Sequence, residues 1–306
     1  MIKEPLISIV KNCYAGEKDL KFALESVIKQ SYKNCELIFW DNNSSDNSIE
    51  IAKKFKDPRI KIFKSKEHTN LGKARKNAFS NAKGDYLAFL DVDDIWEKDK
   101  LLSQIKQFED KSVGISFSNT YFFSKKRIET LYKSTQRIKY SSKDLIINYP
   151  LSLESIMLNI KQIKKLDYDF DENFSHISDF DLIVRLSTIS KVNYLNAILS
   201  GWRIHGKNES FMRKEVFIEE LERWCNIHIK NKLFKHYTKE LTELRLKTQA
   251  EKRIIRDCIN FSDIKTINIK SISSLKNIIF IILSFLPKIP KILFLIKDFR
   301  FRKKWY

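Results

Sequence analysis

Through its first 120 residues the chain alternates short apolar runs with stretches in which apolar residues recur every three or four positions. That pattern predicts parallel strands joined by helical crossovers. Strands are predicted at 6–10, 36–40, 59–63, 86–90 and 113–118, and helices at 17–30, 46–55, 72–82 and 96–108. In the first helix Leu20, Ala23, Leu24, Val27 and Ile28 share one face. Beyond residue 120 the pattern is mixed, with a helix predicted at 179–189 and strands at 192–194 and 198–204. From 216 to 234 and from 237 to 259, apolar residues at helical spacing run among many charges. The chain thus divides into an α/β region at 1–210, a helical extension at 211–272 and a tail at 273–306.

The tail differs from everything before it. Residues 278–286 are apolar except for Ser284, and Pro287 and Pro290 interrupt the apolar stretch before it resumes at 292–296. About 18 uninterrupted apolar residues are needed to span a bilayer, so this segment is too short. From 273 onward Lys276, Lys288, Lys291, Lys297, Arg300, Arg302, Lys303 and Lys304 face only Asp298, and the chain ends in Trp305-Tyr306. An apolar segment with that flanking charge predicts a helix lying in the interface of an anionic membrane. The alternative is a last helix packed on the preceding domain.

Charge narrows the partners. A net charge of +19 implies anionic ones: nucleic acid, nucleotide phosphates or an anionic membrane surface. Outside the tail the excess is scattered, and no recognition helix, zinc finger or RNA-binding aromatic signature accompanies it, which argues against nucleic acid. Hydrophobic content of 43% is enough for a real core. Cys13, Cys35, Cys225 and Cys258 show no CxxC or Cys/His spacing, which argues against structural zinc and predicts reduced thiols in a cytoplasmic protein. The opening residues carry no charged n-region followed by an apolar h-region, so export by that route is not expected.

The candidate chemistry centres on Phe89-Leu90-Asp91-Val92-Asp93-Asp94, where three carboxylates follow a buried apolar run. They emerge at the C-terminal edge of a strand, where open α/β sheets bind ligands. If the segment stays extended, Asp91 and Asp93 point the same way and can share one hard cation and an anionic diphosphate. The plainer alternative is that Asp93-Asp94 caps a helix starting near Ile95. A second polar edge, Asp41 to Ser48, offers Asp41 as an acceptor for a nucleobase N–H or a ribose hydroxyl and Asp46 as a helix cap. Arg75 follows Leu71-Gly72-Lys73-Ala74 in the first turns of the third helix.

Taken together, Ile7-Ser8-Ile9-Val10, the Asp41-to-Ser48 loop, Leu71 to Arg75 and the segment from Gly84 to Asp94 resemble the family 2 inverting glycosyltransferases in order and spacing. The resemblance implies a GT-A fold (an α/β, Rossmann-like nucleotide-sugar-binding domain over 1–210), a nucleotide-sugar donor, and Mn²⁺ or Mg²⁺ held by an Asp-x-Asp motif. It implies that Asp41 contacts the nucleobase, Arg75 lies beside the nucleotide, Asp91 faces ribose and metal, and Asp93 ligates the metal. Ser178-Asp179-Phe180-Asp181-Leu182 resembles the family's acidic pair at a helix start, which places Asp179 on the catalytic-base position. Asp181 can serve instead or pair with Arg185 one turn on, and Asp179 can be a mere cap. Trp202-Arg203-Ile204-His205 resembles the segment closing the catalytic domain, where His205 approaches the diphosphate or the metal. Ala15, where relatives carry Asn, and Lys76, where Asn is common, depart from the pattern near the nucleotide.

The expectation is therefore a metal-dependent inverting glycosyltransferase. It uses a donor most often UDP-linked and a glycan or polyprenyl-linked acceptor, builds a surface polysaccharide such as lipopolysaccharide or capsule, and sits peripherally on the inner face of the cytoplasmic membrane. The alternatives are an inactive membrane-bound scaffold and a sugar nucleotidyltransferase. Against the latter, 12–19 holds only Gly16 and no Arg, where a phosphate loop needs both.

Overall fold

The computed structural model describes residues 4–256; the tail and the end of the helical extension lie outside the described residues. The described residues form two compact units, 4–141 with Pro150–Ile204, and Ser142–Tyr149 with 205–256. The strands are β1 (Ile7–Cys13), β2 (Cys35–Asp41), β3 (Ile60–Lys64), β4 (Tyr86–Phe89), β5 (Ile95–Trp96), β6 (Val113–Phe123), β7 (Ile128–Thr130), β8 (Lys139–Tyr140), β9 (Ile156–Asn159) and β10 (Lys191–Arg203). The α-helices are α1 (Leu20–Ile28), α2 (Ser48–Lys54), α3 (Leu71–Phe79), α4 (Lys100–Ile105), α5 (Ser142–Asn148), α6 (Ile160–Ile163), α7 (Ser178–Ser187), α8 (Glu209–Met212), α9 (Lys214–His228) and α10 (Thr238–Arg256).

All ten strands belong to the first unit and form one sheet in the order β3-β2-β1-β4-β9-β6-β10-β5, with β7 on β6 and β8 on β10. β1 pairs in parallel with both β2 and β4, and β2 with β3, as the alternating pattern predicts. Because β2 and β4 both flank β1, the chain reverses its direction of travel there, which opens a crevice at the C-terminal ends of β1 and β4. Ile7, Ile9, Leu37, Phe39 and Ala88 from these strands pack with Leu20, Ala23 and Leu24 of α1 in the core. Such central strands are covered on both faces, so their sequences are apolar runs and not alternating ones.

Three predicted elements differ. The sheet is not parallel throughout: β9 inserts antiparallel between β4 and β6. Its four residues are all buried and therefore carry no alternation to betray a strand. The helix predicted at 96–108 starts at Lys100 and gives way to a 3-10 turn at Lys106–Phe108, because Ile95 and Trp96 pair with Gly201 and Ser200 of β10. No helix begins at Ile95, so Asp93-Asp94 is not the cap of one. The strands predicted at 192–194 and 198–204 are one strand, β10, with register shifts against β6.

α3 sits against the segment leading to α7. Asn70 Oδ1 accepts from Lys73 N at 2.8 Å to cap α3, and Asn70 Nδ2 donates to Glu172 O at 2.8 Å. A Cβ on Gly72 would stand 2.0 Å from Phe174 O and 2.7 Å from Asp171 O. Both atoms are backbone and cannot swing aside. Gly72→Ala is therefore expected to cost ~1–3 kcal/mol, the range for overpacking, read as a lowered melting temperature.

In the second unit α9 and α10 pair lengthwise. Glu222 of α9 accepts from Lys252 Nζ at 2.7 Å and Gln249 Nε2 at 3.1 Å of α10, while Lys143 of α5 reaches Glu240 at 3.3 Å. Trp224 meets Phe234 edge to face with ring centroids 5.5 Å apart. Among the described residues no helix is long and apolar enough to cross a membrane.

Candidate active site

β4 ends at Phe89, and the carboxylates that follow do not continue as extended chain. Asp94 N donates to Asp91 O at 3.3 Å, closing a four-residue turn. The alternation expected to align Asp91 with Asp93 thus gives way to a turn. Two basic side chains grip its carbonyls from different strands. Lys11 Nζ of β1 donates to Asp91 O at 2.8 Å, and Arg203 Nε of β10 donates to Asp93 O at 2.8 Å. The Arg203 backbone N–H also donates to Asp94 Oδ1 at 2.9 Å. Arg203 lies over the Phe123 ring, 4.5 Å from its centroid, and 3.5 Å from Asp19.

Burial and crowding set the electrostatics. Lys11 is wholly buried, which lowers its ammonium to about 8 although Asp91, Asp94 and Asp93 oppose the change. Burial raises the Asp91 carboxyl; Arg75 and Lys11 draw it down, while Asp93 and Asp179 push it up. Asp94 is buried and turned toward Arg203, and burial, Asp93 and Glu154 hold it well above the ordinary carboxylate range. Asp94 is thereby a structural member of the turn. The Asp91 and Asp93 carboxylates repel each other, an oxygen pair that a hard divalent cation relieves. Among the described residues no three His, Cys, Asp or Glu side chains converge on one point. The pair fits Mg²⁺ or Mn²⁺ bound by two carboxylates, with the remaining ligands drawn from diphosphate and water.

At the neighbouring strand edge Asp41 is wholly buried. Its Oδ2 accepts from Ser44 N at 3.1 Å, whereas Oδ1 is buried without a hydrogen-bond partner among the described residues. An unsatisfied buried acceptor is costly, and a ligand N–H or O–H removes the cost. Asn42 ties this loop to the one before α3, donating to Thr69 O at 2.7 Å and accepting from Thr69 Oγ1 at 3.0 Å. Tyr14, more than half exposed, stands against His68 with ring centroids 4.0 Å apart. Asp46 Oδ1 accepts from Ser48 N at 3.1 Å just ahead of α2, but the N-cap position is Asn47, so Asp46 is not the cap. Ala15 has φ of +50°, a left-handed conformation that Asn tolerates better, which gives the departure at that position a small strain cost.

Arg75 does not stand out toward the crevice as a lone surface cation. It is buried in α3, and its Nη1 donates to Ser178 Oγ and Asp179 Oδ1, each at 2.9 Å. Asp179 lies in the first turn of α7, whose N-cap position is Ile177, so it is not the cap. Asp181 is fully buried and receives Arg185 Nε at 3.0 Å and Nη2 at 2.6 Å. Arg185 also donates to Tyr168 O at 2.7 Å and lies over the Tyr168 ring. Asp181 is thus committed to an ion pair that pins the 168–169 backbone to α7. His205 belongs to the second unit, where its Nδ1 accepts from Lys207 N at 3.1 Å and its backbone N–H donates to Asn208 Oδ1 at 2.7 Å. A neutral ring so placed carries its proton on Nε2.

The structure therefore brings Asp91, Asp93, Arg75 and Asp179 into one electrostatic neighbourhood, with Asp41 two strands away on the same edge. Sequence reasoning missed Lys11 and gave Arg203 no role. The available signal for Lys11 was a single charge directly after the Ile7-to-Val10 run, in Ile7-Ser8-Ile9-Val10-Lys11-Asn12-Cys13.

The family model described as Glycosyl transferase family 2 matches residues 6–165. The UDP-Glc:alpha-D-GlcNAc-diphosphoundecaprenol beta-1,3-glucosyltransferase WfaP of Escherichia coli is 29% identical over 228 residues, covering 74% of this chain and 88% of that protein. Among solved structures, S. aureus TarS 1-349 in complex with UDP-GlcNAc has a TM-score of 0.67 at 16% identity, over 80% of this chain and 72% of that one. The mannosyltransferase PcManGT from Pyrobaculum calidifontis, in complex with GDP-Man and Mn²⁺, has a TM-score of 0.62 at 12% identity, over 92% and 86%. At such identities these two likenesses establish the fold, the expected GT-A architecture. The match of the family model over more than half of its length makes the chain a glycosyltransferase that belongs to glycosyl transferase family 2.

Proposed function

We propose that this protein is a metal-dependent inverting enzyme that moves a sugar from a UDP-linked donor to a hydroxyl of a lipid-linked glycan in surface-polysaccharide synthesis. The observation that carries the reading is the Asp91–Asp94 turn, gripped by Lys11 and Arg203, in the same electrostatic neighbourhood as the Arg75–Asp179 pair. In this reading Asp93 and Asp91 hold Mn²⁺ or Mg²⁺, Asp91 also meets the ribose, and Asp41 Oδ1 accepts a hydrogen bond from the nucleobase. The cation, when bound, neutralises charge on the departing nucleoside diphosphate. Asp179 takes the proton of the attacking acceptor hydroxyl, and a single displacement inverts the anomeric carbon.

The donor and acceptor classes follow relatives. WfaP is named for UDP-Glc and a diphosphoundecaprenol acceptor, and TarS 1-349 is solved with UDP-GlcNAc. Mn²⁺ in the PcManGT complex supports the metal. A lipid-linked acceptor places the enzyme at the inner face of the cytoplasmic membrane, and the basic apolar stretch at 273–306 suits that surface.

The test is nucleoside diphosphate release by the full chain, with a panel of nucleotide sugars and a polyprenyl diphosphate-linked GlcNAc acceptor. Release confined to a UDP-sugar, stopped by EDTA and restored by Mn²⁺ or Mg²⁺, is the expected result. Asp93→Asn is expected to raise the Mn²⁺ concentration for half-maximal release by at least about tenfold. Folded protein that releases nothing with any donor would replace this reading with that of a scaffold.

A further inference from the structure

Arg75 joins parts of the first unit that lie 104 residues apart in sequence. Its side chain is 5% exposed and that of Asp179 16%, so their contact is shielded from water and from salt. Arg75 is also one in a row of contacts between α3 and the segment ending at α7. Asn70 donates to Glu172 O, Gly72 lies flush against the Phe174 carbonyl, Arg75 takes Ser178 and Asp179, and Lys76 pairs with Glu172 at 3.5 Å. One buried charge thus joins α3 to the carboxylate at the head of α7.

We propose that Arg75 is a positioning residue for Asp179, holding that carboxylate in the orientation transfer requires, and is not itself a ligand of the nucleotide. The assignment rests on the reading of Asp179 as the base. Asp179 lies in the first turn of α7, and its Oδ1 accepts from Arg75 Nη1 of α3 at 2.9 Å. One guanidinium nitrogen that holds Asp179 Oδ1 together with Ser178 Oγ, backed by the row of contacts along α3, orients that carboxylate from outside its helix. Misplacement of a reacting group by about 1 Å costs on the order of 100-fold in rate. An arginine acting in this way governs turnover and leaves nucleotide affinity alone.

The experiment compares wild type, Arg75→Met, Arg75→Lys, Asp179→Asn and the Arg75→Met/Asp179→Asn double variant in the full chain. It reads kcat for transfer, KM for the donor, and UDP affinity by calorimetry. For Arg75→Met the expected result is a kcat lowered about 100-fold with donor KM and UDP affinity within about threefold of wild type. Arg75→Lys should recover about a tenth of wild-type kcat or more by keeping the charge. Arg75→Met should cost little further in the Asp179→Asn background. A raised donor KM and weakened UDP binding with kcat retained would make Arg75 a nucleotide ligand and overturn the assignment. Equal losses in Arg75→Met and Arg75→Lys, adding fully to Asp179→Asn, would make it a purely structural residue and overturn it too. A wild type without transfer to any acceptor would overturn the reading of the base, and this assignment with it.

Discussion

Asp179→Asn should lower kcat for transfer about 10³-fold, within the range that a positioned general base contributes, while UDP binding stays within threefold of wild type. The amide has the shape of the carboxylate, and its oxygen can still accept from Arg75 Nη1 and keep α3 joined to α7. What it cannot do is take a proton from the acceptor hydroxyl. Fold and donor binding are therefore preserved and the chemical step alone is removed. Steady-state transfer assays beside calorimetry with UDP separate the two. A variant retaining more than a tenth of wild-type kcat would exclude Asp179 as the base.

Asp181→Asn, two residues further along the same helix, should behave in the opposite way. Asp181 and Arg185 are both almost completely buried and share three hydrogen bonds. Neutralising the carboxylate leaves the Arg185 charge buried without its counter-ion, a change that costs about 3–5 kcal/mol. In a domain of this size that corresponds to a fall of roughly 10 °C in melting temperature. Any lost activity should track the lost folded fraction and return when the assay is cooled. Thermal melts with activity measured per folded molecule check this, and a fully stable but inactive Asp181→Asn would reverse the roles of the two carboxylates. Both sit in the first turn of one helix, yet α7 directs Asp179 to α3 and Asp181 to its own helix and the 168–169 backbone.

That divergence illustrates where sequence reasoning stopped. The pair Asp179 and Asp181 was visible, as was Arg185 one turn on, but the choice of Arg75 as partner for Asp179 depends on α3 and α7 meeting. Arg75 was expected beside the nucleotide because its place in the motif was legible, whereas its hydrogen bonds, to residues more than a hundred positions away, were not. His205 was expected at the diphosphate or the metal on resemblance alone; the structure gives the local contact, in which its Nδ1 accepts from Lys207 N.

The sequence by itself determined the elements whose signals are local. The apolar runs that became β1, β2, β3, β4 and β6, the helical face of α1 and the strand-end position of Asp91, Asp93 and Asp94 all follow from spacing within about ten residues, and the resemblance to the family from the order of the motifs between Ile7 and Asp94. Tertiary structure decided the rest. β9 carries no periodicity, and only the gap between β4 and β6 gives it a direction. The acidic turn is bent, not extended, because Lys11 and Arg203 reach its carbonyls from strands 80 and 110 residues away in the chain. A lone lysine at a strand end is an ordinary sight in a sequence so rich in lysine. Burial beneath three carboxylates gives it a function, and burial depends on how the whole sheet is assembled.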